Sequence, residues 1–193
     1  MKKLKLYEYI TYAAIILAGV GLDQLTKFLA VKYLEPVSTV PIIKNVLHLT
    51  FVTNDGMAFG MLDNQRWIFM SVSVIMIAVL CYLLFAGRLE SKLYTVSVAM
   101  IISGGIGNMI DRIALGEVVD FIDFRAINFA VFNVADSIVC VGAGLLVLAL
   151  ILEIARDQKK AKSQGADEEK TNADEDGTAD GGEASAKDEE ASK

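Results

Sequence analysis

Trp67-Ile68-Phe69-Met70-Ser71-Val72-Ser73-Val74-Ile75-Met76-Ile77-Ala78-Val79-Leu80-Cys81-Tyr82-Leu83-Leu84-Phe85-Ala86 carries no charged residue from end to end. A bilayer core of about 30 Å is crossed by roughly 20 apolar residues at about 1.5 Å each, so this stretch has the length and composition of a membrane span. Working outward, three more apolar segments flank it: Tyr9 to about Val31, Leu93 to about Ile110, and Val134 to about Leu152. The sequence therefore predicts a helical membrane protein with four transmembrane helices, at about 9–31, 67–86, 93–110 and 134–152. The first span is uncharged only from Tyr9 to Leu22 and reaches full length by including Asp23 and Lys27. Ionisable groups at membrane depth cost a few kcal/mol on insertion scales, so their presence calls for a reason.

Mean hydropathy is +0.46, although the chain ends in a long run of small and charged residues. The formal charge of −6 arises largely in that run, so the acidity describes the tail and implies no acidic partner for the folded part. Cys81 and Cys140 sit inside apolar runs, where a thiol acts as a small hydrophobe, and neither suggests a disulfide. The N-terminus, with Lys2, Lys3 and Lys5 ahead of an apolar stretch, resembles a secretory leader but lacks an A-x-A cleavage site, and Leu17-Ala18-Gly19 runs into Val20 where a lipoprotein leader would need Cys, so it reads as a retained first span. Basic residues are dense before the first span (Lys2, Lys3, Lys5), between the second and third (Arg88, Lys92), and after the fourth (Arg156, Lys159, Lys160, Lys162). The positive-inside rule then places both termini in the cytoplasm and the connections 32–66 and 111–133 outside.

Within the first outer connection, Leu47, Leu49 and Phe51 alternate with His48, Thr50 and Val52, the period of a half-buried strand. Asn54-Asp55-Gly56 follows as a turn, and Pro36 and Pro41 precede the strand. A small β-sheet resting on the outer membrane face is expected in this connection. Residues 1–156 form the membrane domain. From Asp157 to Lys193 no aliphatic or aromatic anchor remains, and a disordered acidic cytoplasmic tail is expected. No repeat, zinc spacing, phosphate loop or basic-aromatic patch occurs, so neither nucleic acid nor a metal or other cofactor is expected.

With the termini inside, Asp23 falls near the outer end of span one, Asn108, Asp111 and Arg112 at the outer end of span three, and Asp136 at the outer start of span four. Asp120 and Asn133 lie in the second outer connection, on the same face. Each of these alone has an ordinary explanation, such as an Asp23–Lys27 pair or an acid early in a helix. Together they resemble a site. Two neighbouring carboxylates cannot both ionise easily, so one keeps a proton. The ionised member can then take a proton from water while the other polarises a carbonyl. Asp120 and Asp136 suit this, lying on either side of a short aromatic stretch, Phe121 to Phe132, that can fold back. A Ser-His-Asp triad is not available, because the only histidine, His48, sits in the predicted strand. A proton-coupled transporter is the alternative for carboxylates in apolar helices, but a pathway needs them near the midplane. A non-catalytic scaffold presenting the acidic tail is a third possibility.

Four blocks carry a resemblance. Asp23-Gln24-Leu25-Thr26-Lys27 resembles D-Q-x-x-K, and Asn54-Asp55-Gly56-Met57-Ala58-Phe59 resembles N-x-G-x-A-F. Gly104-Gly105-Ile106-Gly107-Asn108-Met109-Ile110-Asp111-Arg112, followed by Val118-Val119-Asp120-Phe121, is similar to G-G-x-x-G-N-x-x-D-R and V-V-D-F. Phe132-Asn133-Val134-Ala135-Asp136-Ser137 is similar to F-N-x-A-D-S. In this order on a four-span chain, they resemble the lipoprotein signal peptidase family (signal peptidase II), aspartyl membrane proteases, over nearly all of residues 1–156. The resemblance implies an endopeptidase of the bacterial plasma membrane that needs no cofactor. Its substrates would be prolipoproteins carrying a diacylglyceryl-cysteine, cut just before that cysteine. It implies Asp120 and Asp136 as the catalytic pair, with Asp23, Asn54, Gly56, Asn108, Asp111, Arg112 and Asn133 as the supporting, substrate-binding shell. The expected partners are substrate and membrane lipid, with the protein acting as a monomer. Asp55 and Met57 fill variable positions of the loop, and the tail lies outside the family core. Gly104, Gly105 and Gly107 are expected to let span three pack closely on a neighbour.

Overall fold

A computed structural model describes residues 4–55, 66–89 and 91–178, without the side chains of residues 66, 68, 69 and 161–178. Among the described residues there are four α-helices: α1 Leu6–Leu29, α2 Arg66–Phe85, α3 Lys92–Ala114 and α4 Val134–Thr178. Three helical stretches, Leu6–Val37, Lys92–Ala114 and Val134–Lys160, are long and apolar enough to cross a membrane. In α2 the described apolar stretch is the shorter Met70–Phe85, within a helix of 20 residues that spans about 30 Å at the usual rise. Polarity is arranged opposite to that of a water-soluble bundle: Leu17, Ile75 and Val147 are exposed, while Asp23, Lys27 and Asn133 are buried. That is the arrangement expected where lipid is the solvent.

Residues divide into two compact units, Met1–Ala149 and Leu150–Lys193. In the first, Tyr12, Leu84, Val98, Ala99 and Ile102 form the buried apolar cluster joining α1, α2 and α3. A Cβ at Gly104 would collide with the carbonyl oxygen of Ala135, and one at Gly105 would lie 3.2 Å from Ile77. Close backbone approach of α3 to its neighbours is thus what the glycines provide, as expected for helices packing without a hydrophobic driving force. In the second unit the helix continues to Thr178. The fourth helix thus extends beyond Leu152 and past Asp157. From Glu153 to Gln164 the sequence holds good helix formers and no proline or glycine to stop it. Residues 179–193 lie outside the described residues.

The sheet has three antiparallel strands in the order β1-β2-β3, with β1 Thr39–Ile43, β2 Leu47–Asn54 and β3 Val118–Phe124. The sequence reading placed the sheet in the first connection alone. In fact its third strand comes from the second connection, where Val118, Phe121 and the residues between them are buried too continuously for a clear period of two. Pro41 precedes β2 as expected and falls inside a further strand, β1, an edge strand where a missing N–H is tolerated. Ala30, Leu34, Val119 and Phe121 pack together and seat the sheet on the turn that follows α1. Gly116, at φ 87°, makes the left-handed turn between α3 and β3 that a side chain would strain.

Candidate active site

Asp120 lies midway along β3, only 3% exposed. Beyond it the chain turns through Arg125–Ile127 and returns, so that Phe132 pairs with Ile122 by N–H···O bonds of 2.7 and 3.1 Å in both directions. Phe124 and Phe132 stack at 6.0 Å. The expected fold-back of the aromatic stretch therefore occurs, and it delivers Asn133 to the side of Asp120. The Asn133 side-chain amide donates to Asp120 Oδ1 at 2.7 Å and to Asn108 Oδ1 at 3.0 Å.

Asn133 also begins α4. Its Oδ1 accepts the backbone N–H of Asp136 at 3.0 Å, and the Asn133 backbone N–H donates to Asp136 Oδ2 at 3.2 Å. This reciprocal exchange is a capping box, in which two otherwise unpaired donors of a helix start are satisfied at once. The helix cap thereby fixes the Asp136 carboxyl beside the residue that holds Asp120. From α3, Asn108 Nδ2 donates to Asp136 Oδ1 at 2.7 Å. From the end of β2, Asn54 Nδ2 donates to Asp120 Oδ2 at 3.1 Å.

Beneath this layer sits a second one around Lys27, which is 3% exposed. Its ammonium lies 2.9 Å from Asp23 Oδ2, 2.9 Å from Asp111 Oδ2 and 2.8 Å from Asn108 Oδ1. All three N–H donors of the ammonium are thus used. Asp23 Oδ1 accepts the Ala135 backbone N–H at 2.8 Å, tying α1 to the start of α4. Asp111 accepts from Gln24 at 2.8 Å and from the Val119 backbone N–H at 3.2 Å, tying α3 to β3. A buried charge is tolerable only when paired and hydrogen-bonded, and each of these is both. A Cβ at Gly107 would fall 2.6 Å from Asp23 Oδ2, so that glycine leaves space for the carboxylate itself.

Burial pushes the Asp120 carboxyl up to about 6. The donors Asn54 and Asn133 oppose that rise, the nearby Asp136 charge adds to it, and Lys27 moderates it. Two acids, one of them raised into the neutral range, form the kind of pair in which a single proton is shared near physiological pH.

Of the residues expected here, Asp120, Asp136, Asp23, Asn54, Asn108, Asp111 and Asn133 come together in one network. Arg112 does not join it: its side chain lines a separate cavity of about 410 Å³ with Trp67, Met70 and Leu115. One residue after Asp111 on a helix, it points about 100° away from the network. Gly56, with Met57, lies outside the described residues. The sequence reading left out Lys27 and Gln24 as site residues, although both stand in the D-Q-x-x-K block and Lys27 is a charge within a span. His48 is buried in β2 with neither ring nitrogen hydrogen-bonded among the described residues, and it stays outside the network. Among the described residues no group of three metal-ligating side chains comes together.

Residues 15–152 match the family model described as Signal peptidase (SPase) II. The chain belongs to the signal peptidase II family. It is 50% identical over 134 residues to a lipoprotein signal peptidase of Caldanaerobacter subterraneus subsp. tengcongensis, covering 69% of this chain and 91% of that protein. A lipoprotein signal peptidase of Clostridioides difficile is 44% identical over 141 residues, covering 72% of this chain and 94% of the relative. Among solved structures, a bacterial membrane enzyme determined in meso at 2.3 Å superimposes with a TM-score of 0.70 at 30% identity, over 76% of this chain and 90% of the other. Signal peptidase II membership makes the chain a multi-pass membrane endopeptidase of the aspartic class.

Proposed function

We propose that this signal peptidase II acts on prolipoproteins whose cysteine bears a diacylglyceryl group, cutting immediately before that cysteine with water activated between Asp120 and Asp136. The observation that carries the reading is the Asn133 bridge. One residue donates to Asp120 Oδ1 and exchanges two hydrogen bonds with Asp136, so both carboxyls are held to one residue, Asp120 by its side-chain amide and Asp136 by its backbone N–H. The ionised member takes a proton from water as its oxygen attacks the scissile carbonyl, and the protonated member gives its proton to the carbonyl oxygen. The tetrahedral diol then collapses. The C–N bond breaks, the amine takes the proton drawn from water, and the diol proton returns to the acid, leaving the pair as it began. Asp23, Asn108, Asp111 and Asn133 hold the pair in place, with Asn54 at the rim. Arg112 and Gly56 act in substrate binding.

The protein sits in the bacterial cytoplasmic membrane with both termini inside and the pair at the outer face, which the basic flanks support. Its partners are the lipidated substrate and membrane lipid, it binds no nucleic acid, and it works as a monomer. A substrate bearing two acyl chains would reach the site from the lipid that surrounds the exposed apolar faces of α1 and α4. The test is leader release from a diacylglyceryl-modified prolipoprotein and from its unmodified form by protein in lipid. Cleavage confined to the modified form is expected, and equal cleavage of both would refute lipid recognition.

A further inference from the structure

Exposed apolar surface is not confined to the helices. Ile43, Leu47 and Phe124 are register partners across the three strands, an apolar row at the end of the sheet where β1 turns into β2. Beyond the row, Val46 in that turn and Ile127 and Phe129 in the second connection are apolar and exposed as well, Ile127 at 70%. The two connections meet here, because the Val46 carbonyl accepts the Ala126 N–H at 3.5 Å. A patch assembled from two separate connections marks a surface that something covers. The strand beside it narrows what that is. An exposed edge strand ordinarily invites a further strand, but β1 carries Pro41, which has no N–H, and then a bulge at Ile42, where its register with β2 shifts. Both features block edge pairing with another chain.

The surroundings favour lipid. The helical stretch ahead of β1, Leu6–Val37, has 32 residues, about 48 Å against a hydrocarbon core of about 30 Å, so its last turns lie among headgroups. In those turns the Lys32 ammonium sits 5.0 Å from the centre of the Tyr33 ring and 5.9 Å from that of Phe28, the aromatic and basic pairing of a membrane interface. Only Ser38 separates this stretch from β1, so the hairpin departs at headgroup level. Lys44 stands in the turn between Ile43 and Val46, where its stem can lie along apolar surface while its ammonium meets phosphates. The neighbouring charges Asp123 and Arg125 neutralise each other at 2.8 Å. We propose that this end of the sheet dips into the adjoining leaflet, with Ile43, Val46, Ile127 and Phe129 among the upper acyl chains and Lys44 at the phosphates. Phe124 lies four residues along β3 from Asp120, about 13 Å at the rise of a strand, so lipid held at one end of β3 sets the depth of the residue in its middle. The inference requires that the chain spans a membrane and is independent of which residues cleave.

The test places an environment-sensitive fluorophore on Ile43→Cys, Lys44→Cys or Ile127→Cys, one at a time, in the full chain carrying Cys81→Ala and Cys140→Ala. All three positions are exposed, so the label has room without disturbing the core. In vesicles of phosphatidylcholine and phosphatidylglycerol, the labels at 43 and 127 are expected to be quenched by lipid spin-labelled high on the acyl chain and spared by aqueous iodide. The label at 44 is expected to respond to lipid spin-labelled at the headgroup. Quenching of the labels at 43 and 127 by iodide, without response to either lipid, would overturn the proposal. Shielding that arises only when a lipidated prolipoprotein is added would make the patch a substrate contact, and shielding that fades as the protein is diluted in lipid would make it a contact between copies. Either result would also overturn it. The depth-setting role is read separately: Ile43→Asp with Ile127→Asp is expected to lose leader release in vesicles and keep it in detergent micelles. Equal release, or equal loss, in the two settings would remove that role.

Discussion

Replacing Asn54 by alanine deletes the amide that donates to Asp120 Oδ2 at 3.1 Å. The bond favours the ionised form of Asp120, so its loss raises the pH at which the proton leaves. A hydrogen bond to a charged group contributes about 1.5–3 kcal/mol. The length of this one and the half-exposed position of Asn54 put it at the lower end, about 1.4 kcal/mol or one pKa unit. Starting from about 6, the alkaline limb of the activity profile should move to about 7. With one proton required on the pair, about a tenth of the unmodified protein is competent at pH 7 and about half of Asn54→Ala, so normalised activity at pH 7 rises roughly fivefold. The assay is kcat/KM for a lipidated prolipoprotein between pH 4.5 and 9, with each profile scaled to its own maximum so that weakened substrate binding cancels. An alkaline limb that stays in place or moves down would refute the link between Asn54 and the Asp120 proton.

Other outcomes follow from the same geometry. A carboxyl raised by burial favours the folded state only below its unfolded pKa of about 4, and that contribution is lost as pH rises through about 6. The melting temperature of Asp120→Asn relative to the unmodified protein should therefore climb between pH 4 and pH 8, and a flat difference would contradict the raised Asp120. Gly107→Val would press a branched side chain against the Asp23 carboxylate, and should lower stability by about 1–3 kcal/mol and abolish leader release, read by thermal unfolding and a gel assay. Arg125→Ala removes an ion pair to Asp123 at 2.8 Å, in which the Arg125 side chain is 43% exposed. The loss should stay under about 1 kcal/mol and leave cleavage intact. Truncation after Lys160 should leave cleavage of a purified substrate unchanged, since every residue of the network precedes Ala149.

The spans were legible because uncharged runs of this length have few other uses, and the site because charges in them are costly. Asp23, Asn108, Asp111 and Asp136 announced themselves by position alone. Lys27 did not, because an ammonium four residues after an aspartate has a sufficient local explanation, and only the fold shows that it also meets Asp111 and Asn108. β3 was hidden for a related reason: Val118-Val119-Asp120-Phe121 is buried on both faces, so its pattern lacks the alternation that revealed β2. The motif and the depth of Arg112 could not show that its side chain lies apart from the network, because neighbours on a helix face different directions and it lines a separate cavity.

The central claim is that Asp120 and Asp136 are the two groups that carry the hydrolysis. It is tested most directly by single-turnover release of the leader from a diacylglyceryl-modified prolipoprotein, using Asp120→Asn and Asp136→Asn proteins whose melting shows them to be folded in lipid. The account predicts a fall of at least a thousandfold for either change. Release within tenfold of the unmodified rate in either variant would contradict it.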